Sequence, residues 1–217
     1  MRVIVAEDTL LIREGLARVL ATLGHELVGA VERADEIPQL IAQYRPDVAI
    51  LDIKTPPTYT DEGLRMAAHV RTTWPDVAVL VLSQYVVPSY ATFLLRGGPS
   101  HVGYLLKEQL IHPETLDEAI HRIAAGGVVV DPQVVIALLA ARRAAEQLAR
   151  LTNRERDILR LIAEGLTDRG IAERLHLTLH TIDTHVRSIL AKLDLARSPT
   201  DNRRVLAVLK FLEVGRS

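Results

Sequence analysis

Five short, uninterrupted apolar runs constrain this chain more than any other feature of its 217 residues. RVIVA (2 to 6), LVGAV (27 to 31), VAILD (48 to 52), VAVLVLS (77 to 83) and VGYLL (102 to 106) are rich in β-branched residues and lack polar alternation. Strands of that kind are buried on both faces. Between them lie stretches of helical period, such as LLIREGLARVLATLG and GLRMAAHVRTTW, several of them closed by Gly or Pro. The alternation predicts an α/β domain over residues 1–125, with a five-stranded parallel sheet and helices on both faces.

Beyond residue 125 the pattern changes. GGVVVDPQVVIALLAARRAAEQ offers Asp131 as N-cap and Pro132 as first helical residue, so residues 126–147 read as a helical linker. Residues 148–217 read as a succession of short helices, an all-α domain. The charge follows the same division. Residues 1–125 carry 11 Lys and Arg against 16 Asp and Glu, whereas residues 148–217 carry 13 against 9. The net charge of −1 conceals an acidic module and a basic one with different partners.

The chain has no cysteine, which removes disulfides, thiolate metal sites and thiol nucleophiles. It opens MRVIVAED without a signal-peptide pattern, and no apolar run has the length of a membrane span. The expectation is a cytoplasmic protein with no membrane partner.

In open parallel sheets ligands bind beyond the carboxyl ends of the strands. Those ends carry Glu7 and Asp8, Asp52, Ser83 and Lys107, after the first, third, fourth and fifth strands. Singly, each is an ordinary cap or surface residue. Together they make three carboxylates, a hydroxyl and an ammonium in one place. Carboxylates in such proximity repel unless a cation joins them. All-oxygen ligation suits Mg²⁺, and the hydroxyl and ammonium suit phosphoryl oxygens. The chemistry that fits is attack of an Asp carboxylate on phosphorus.

With those residues in place, residues 1–125 resemble the receiver domain of two-component response regulators, a flavodoxin-like fold. The resemblance implies that Asp52 accepts phosphate from a sensor histidine kinase, with Ser83 and Lys107 contacting the phosphoryl group. It implies Mg²⁺ held by Asp8, Asp52 and the Lys54 backbone carbonyl, with Glu7 acting through water. It also makes Tyr104 a switch aromatic coupled to Ser83. Thr55 departs from the Asp-x-x-Met-Pro run of many receivers, and its side chain either loosens the loop or offers phosphate another hydroxyl. DIKT also resembles the nucleophile motif of haloacid-dehalogenase-type phosphohydrolases, but Lys54 stands where that motif needs its second Asp, the general acid. No Gly-x-Gly-x-x-Gly follows the first strand, which disfavours a dinucleotide-binding enzyme.

In the basic module, Thr152 and Glu155 form a capping-box pattern, and Thr167 and Thr178 precede two further helices. Ile182, Val186, Ile189, Leu190 and Leu193 make one apolar stripe at helical spacing. The opposite face carries Thr181, Asp183, Thr184, Arg187 and Ser188, with His185 and Lys192 at its margins, a surface that suits a DNA major groove. The segment resembles the LuxR-type helix-turn-helix through LT-x-RE, EGLT, IAERL and T-x-x-TI-x-TH-x-x-x-IL-x-KL. Together the halves resemble the NarL/FixJ class of transcriptional response regulators.

Cap groups such as the Thr178 hydroxyl suit DNA phosphates, and the resemblance places Asp183, Thr184 and Arg187 at the groove and His185 and Lys192 at the backbone. Asp183 stands where relatives often carry Lys, and Gly170 where they carry Glu or Lys. A homodimer on an inverted repeat of double-stranded DNA is expected, with phosphorylation altering dimerisation or domain contacts. No enzymatic activity is expected beyond slow autodephosphorylation. The alternatives are a DNA-binding regulator independent of phosphorylation and, last, an aspartyl-phosphate phosphohydrolase.

Overall fold

The structure, a computed structural model, describes residues 1–196 and 198–215 and divides into two compact units, Met1–Ala137 and Leu138–Ser217. In the first unit, strands β1 (Arg2–Ala6), β2 (Glu26–Val31), β3 (Val48–Asp52), β4 (Ala78–Ser83), β5 (Val102–Leu106) and β6 (Val128–Val130) form one sheet in the order β2-β1-β3-β4-β5-β6. Every pairing is parallel. Strands β3, β4 and β5 are buried along their whole length, which accounts for their continuous apolar runs.

The sheet has six strands, not the five expected. Val128–Val130 pairs with β5 from Val102 to Tyr104, in a stretch expected to be linker. Three residues after two glycines are too short to show a strand period, and only the free edge of β5 makes a strand of them.

Helices α1 (Leu10–Thr22), α2 (Ile37–Tyr44), α3 (Glu62–Thr73), α4 (Pro88–Leu95) and α5 (Pro113–Ala124) connect the strands. Val3, Val5, Ile50, Leu80 and Leu82 share a core with Leu16 and Leu20 of α1 and with Leu116, Ile120 and Ile123 of α5. The alternate strand residues Ile4, Leu51 and Val81 are equally buried, as expected when successive side chains point to opposite faces of a covered sheet. Full burial of one such side chain is worth about 1.5–3 kcal/mol. The sheet is therefore a rigid platform for whatever its strand ends carry.

Helix α6 (Pro132–Ala149) begins as the sequence indicated. Buried Asp131 accepts the Gln133 backbone N–H through Oδ1 at 2.9 Å and the Leu106 N–H through Oδ2 at 3.4 Å. Helices α7 (Asn153–Ala163), α8 (Asp168–Leu175), α9 (Leu179–Lys192) and α10 (Arg203–Gly215) follow. Thr152, Thr167 and Thr178 each cap the helix after them, Thr152 within a complete capping box. The tight α8–α9 turn passes through His176 in the left-handed conformation, φ 53°. Ile182, Ile189, Leu190 and Leu193 of the α9 stripe are buried against Ile158, Leu159 and Ile171. No helix among the described residues is long and apolar enough to cross a membrane.

Glu155 anchors the second unit. It is buried and accepts from the Thr152 N–H at 2.7 Å, Ser188 Oγ at 2.7 Å and Lys192 Nζ at 2.6 Å. Burial alone would push its carboxyl up, but the bonds from Lys192, Ser188 and Thr152 prevail and hold it at about 2. A folded value below the unfolded one stabilises fully above about pH 4.5 and is lost as pH falls towards about 2. Glu155→Gln should lower the melting temperature of the second unit at neutral pH. The gap to wild type should narrow steadily on acidification below about pH 4.5, as followed by circular dichroism.

Candidate functional site

The sheet order reverses between β1 and β3, where a parallel sheet opens a crevice beyond its carboxyl ends. Glu7, Asp8 and Asp52 meet there, their carboxylate oxygens within 4.8 Å of one another. Lys107 Nζ lies 2.7 Å from Glu7 Oε2 and 2.9 Å from Asp52 Oδ2. Asp8, Asp52, Lys54, Ser83, Tyr85 and Lys107 are among the residues lining a cavity of about 230 Å³. One ammonium faces three carboxylates, in a setting where Glu7 and Asp52 are buried. Burial raises the Asp52 carboxyl above its usual range, and Lys107 and the Lys54 backbone N–H offset this only in part. Glu7 is raised by burial and by the charge of Asp52, against the pull of Lys107. Burial works against the Lys107 ammonium, yet its two carboxylate partners outweigh it and its pKa is raised.

Local contacts hold the acids in place. Arg13 of α1 donates to the Glu7 carbonyl at 2.6 Å and the Asp8 carbonyl at 3.4 Å, and the Thr9 N–H donates to Glu7 Oε1 at 3.2 Å. Gly63, at the start of α3, packs on the Asp52 backbone so closely that a Cβ there would stand 1.7 Å from the Asp52 carbonyl oxygen. Neither Arg13 nor Gly63 was singled out from sequence. The signal for Gly63 was a glycine opening a helix, DEGLRM, where propensity disfavours it.

Ser83 and Tyr104 converge on one acceptor. Ser83 Oγ donates to the Tyr85 carbonyl at 2.7 Å, and Tyr104 Oη donates to the same carbonyl at 3.2 Å. Tyr104 lies inward, 1% exposed. Lys54 is exposed, with Nζ 5.3 Å from the centre of the Tyr85 ring. Thr55 is fully buried, and its Oγ1 accepts the Ala34 N–H at 3.4 Å. It is not among the residues that line the cavity; its hydroxyl links the β3–α3 loop to the segment before α2.

On α9, the Thr178 hydroxyl accepts the Thr181 N–H at 3.1 Å, and the two threonine hydroxyls lie 2.8 Å apart. Thr184 Oγ1 donates back to the His180 carbonyl at 3.0 Å. Asp183 and Arg187 form the ion pair their spacing predicts. His185 is half-buried. Ser188 and Lys192 differ from the expected outward role, because their polar ends are both bonded to Glu155 of α7. A helical face read from α9 alone cannot register an acid supplied by another helix. Of the remaining residues, Thr178, Thr184 and Arg187 are exposed and Thr181 and Asp183 half-buried.

The sequence profile of the response regulator receiver domain matches residues 3–121, and that of bacterial regulatory proteins of the luxR family matches residues 149–208. The chain belongs to the NarL/FixJ family of response regulators. Among its relatives, the transcriptional regulatory protein DegU of Brevibacillus brevis is 31% identical over 99% of this chain and 94% of its own length. The DNA-binding transcriptional activator DevR/DosR of Mycobacterium tuberculosis is 31% identical over 91% of this chain and 90% of its own. The RcsB response regulator of Salmonella typhimurium shares the fold, with a TM-score of 0.66, 23% identity and 98% coverage of both chains. This response regulator is accordingly a two-component transcription factor, with the acidic crevice in its receiver domain and α9 in its luxR-type domain.

Two glycines of the regulator call for opposite outcomes on substitution. At Gly63 the obstruction is backbone, which cannot rotate away, so Gly63→Ala should cost about 1–3 kcal/mol or more in denaturant unfolding. At Gly170 an added Cβ meets nothing closer than 3.6 Å, and the backbone N–H already bonds the Thr167 cap. Gly170→Ala should stabilise the luxR-type domain by about 0.4–1 kcal/mol in the same measurement.

Proposed function

We propose that Asp52 accepts a phosphoryl group from a sensor histidine kinase and that this modification controls how α9 engages DNA. The observation that carries the reading is the Asp52 carboxylate held between Lys107 and two further acids at the sheet's switch point. An Asp52 oxygen attacks phosphorus, the bond from phosphorus to the donor imidazole breaks, and the leaving imidazole takes up a proton. Lys107 neutralises a phosphoryl oxygen.

Three carboxylates form an all-oxygen donor set, and the repulsion of Asp52 on Glu7 and of Asp8 on Asp52, added to burial in raising both carboxyls, is relieved by a cation. The set fits Mg²⁺, with Asp8, Asp52 and the Lys54 carbonyl as ligands and Glu7 acting through water. When bound, Mg²⁺ offsets charge on the phosphoryl oxygens.

Ser83 then leaves the Tyr85 carbonyl for a phosphoryl oxygen, while Tyr104 keeps that carbonyl and holds the loop inward. The modified receiver favours a homodimer, and two α9 helices reach paired half-sites of an inverted repeat. Thr178, Thr181, Asp183, Thr184 and Arg187 meet the duplex, with His185 towards its backbone. A relative named as a DNA-binding activator supports this assignment. The reading calls for no enzyme activity beyond, at most, slow loss of the chain's own phosphoryl group.

The alternatives lose their motives. A receiver that is never phosphorylated was suggested by Thr55, which faces Ala34 and not the cavity. A phosphohydrolase needs an acid two residues after its nucleophile, where Lys54 stands.

Acetyl phosphate and Mg²⁺ should add one phosphoryl group to the wild type and none to Asp52→Asn, read by intact mass; equal labelling of both proteins would refute Asp52 as acceptor. Asp183→Lys should bind random duplex more tightly and with a salt slope steeper by about one. Its preference for cognate over random sites should fall.

A further inference from the structure

A second cluster of metal-ligating side chains among the described residues lies outside the acidic crevice and takes no part in the mechanism above. His25 sits in the turn between α1 and β2, whereas Asp117 and His121 share a face of α5 at a spacing of four. His25 Nε2 is 2.9 Å from Asp117 Oδ1, and His121 Nδ1 is 3.2 Å from the same oxygen. The two imidazole rings are 5.4 Å apart between centroids. We propose that His25, Asp117 and His121 form a binding site for a divalent transition-metal ion of the Zn²⁺ class, which clamps the α1–β2 turn to α5.

The donor set selects the ion. Two imidazoles and one carboxylate suit Zn²⁺, Co²⁺, Ni²⁺ or Cu²⁺ and are poor ligands for Mg²⁺ or Ca²⁺. A tetrahedral ion with bonds of about 2.0–2.2 Å holds its ligands roughly 3.3 Å apart. The separations of 2.9 and 3.2 Å are close to that spacing, so small side-chain rotations admit an ion. His25 is nearly closed off, its side chain 2% exposed, whereas the Asp117 and His121 side chains are 36% and 56% exposed. One wall of the site is thus fixed and the mouth is open, leaving a fourth position for water. Glu114, Glu118 and Arg122 line the same surface hollow, so the two acids outnumber the one added cation around it.

Binding has identifiable costs. Each ring binds as a neutral imidazole, so His25 gives up the Nε2 proton it shares with Asp117 and carries one on Nδ1, which forfeits the hydrogen bond that Nδ1 accepts from the Met1 ammonium at 3.4 Å. His121 gives up the hydrogen bond between its Nδ1 and the Asp117 carbonyl, 2.9 Å in length. In return the ion links segments 92 residues apart in sequence and stabilises the folded receiver by mass action.

The test uses the full chain in excess Mg²⁺, which occupies the acidic crevice. Calorimetric titration with Zn²⁺ should show one ion per chain, and Co²⁺ should give the visible absorption of a tetrahedral site. Zn²⁺ should also raise the melting temperature of the receiver. His121→Ala removes an exposed side chain without disturbing the core, and Asp117→Asn is nearly isosteric. Each should weaken Zn²⁺ binding by about tenfold or more and abolish the rise in melting temperature. The proposal fails if the wild type shows no stoichiometric site, or if both variants bind Zn²⁺ as the wild type does.

Discussion

The contact of Lys107 with Glu7 and Asp52 is the interaction on which the receiver depends. The ammonium lies 2.7 and 2.9 Å from two carboxylates that are almost sealed from water, with Asp8 alongside. Removing such charges from water is expensive, and a single cation cannot balance three anions. The site therefore holds more negative than positive charge, and burial, with a smaller contribution from the neighbouring carboxylates, displaces both acids upward. That imbalance is the physical basis of the proposal that the pocket takes a cation and a phosphoryl group. A fully compensated pocket would be more stable and chemically idle.

The imbalance can persist because the surrounding sheet is over-determined. Three adjacent strands are buried throughout and deliver their last residues to one rim in fixed register. Arg13 holds the Glu7 and Asp8 carbonyls, and α3 closes directly on the Asp52 backbone through Gly63. Ser83 Oγ and Tyr104 Oη share the Tyr85 carbonyl as acceptor, and Ser83 Oγ also accepts the Tyr85 N–H at 3.2 Å.

The luxR-type domain solves a similar charge problem in the opposite way. Glu155 is buried but fully partnered by Thr152, Ser188 and Lys192, so its charge is retained to low pH and serves to fix α9 on α7. The surface left over, with Asp183 and Arg187 paired across one helical turn, is narrower and less basic than the composition of the domain suggests. Charge in this half serves to hold α9 in place.

Sequence alone determined the parallel α/β architecture, the residues at four strand ends, the three threonine caps and the apolar stripe of α9, because strand period, helix period and capping are local and survive in a string of letters. Tertiary structure alone decided the sixth strand, the turning of Ser188 and Lys192 onto Glu155, the burial of Thr55 against Ala34, the need for glycine at position 63, and the meeting of His25 with Asp117 and His121. Most of these join residues tens of positions apart or on different elements. Their encounter depends on register, on helix rotation and on which edge is left unpaired, and none of those quantities has a period that a sequence can display.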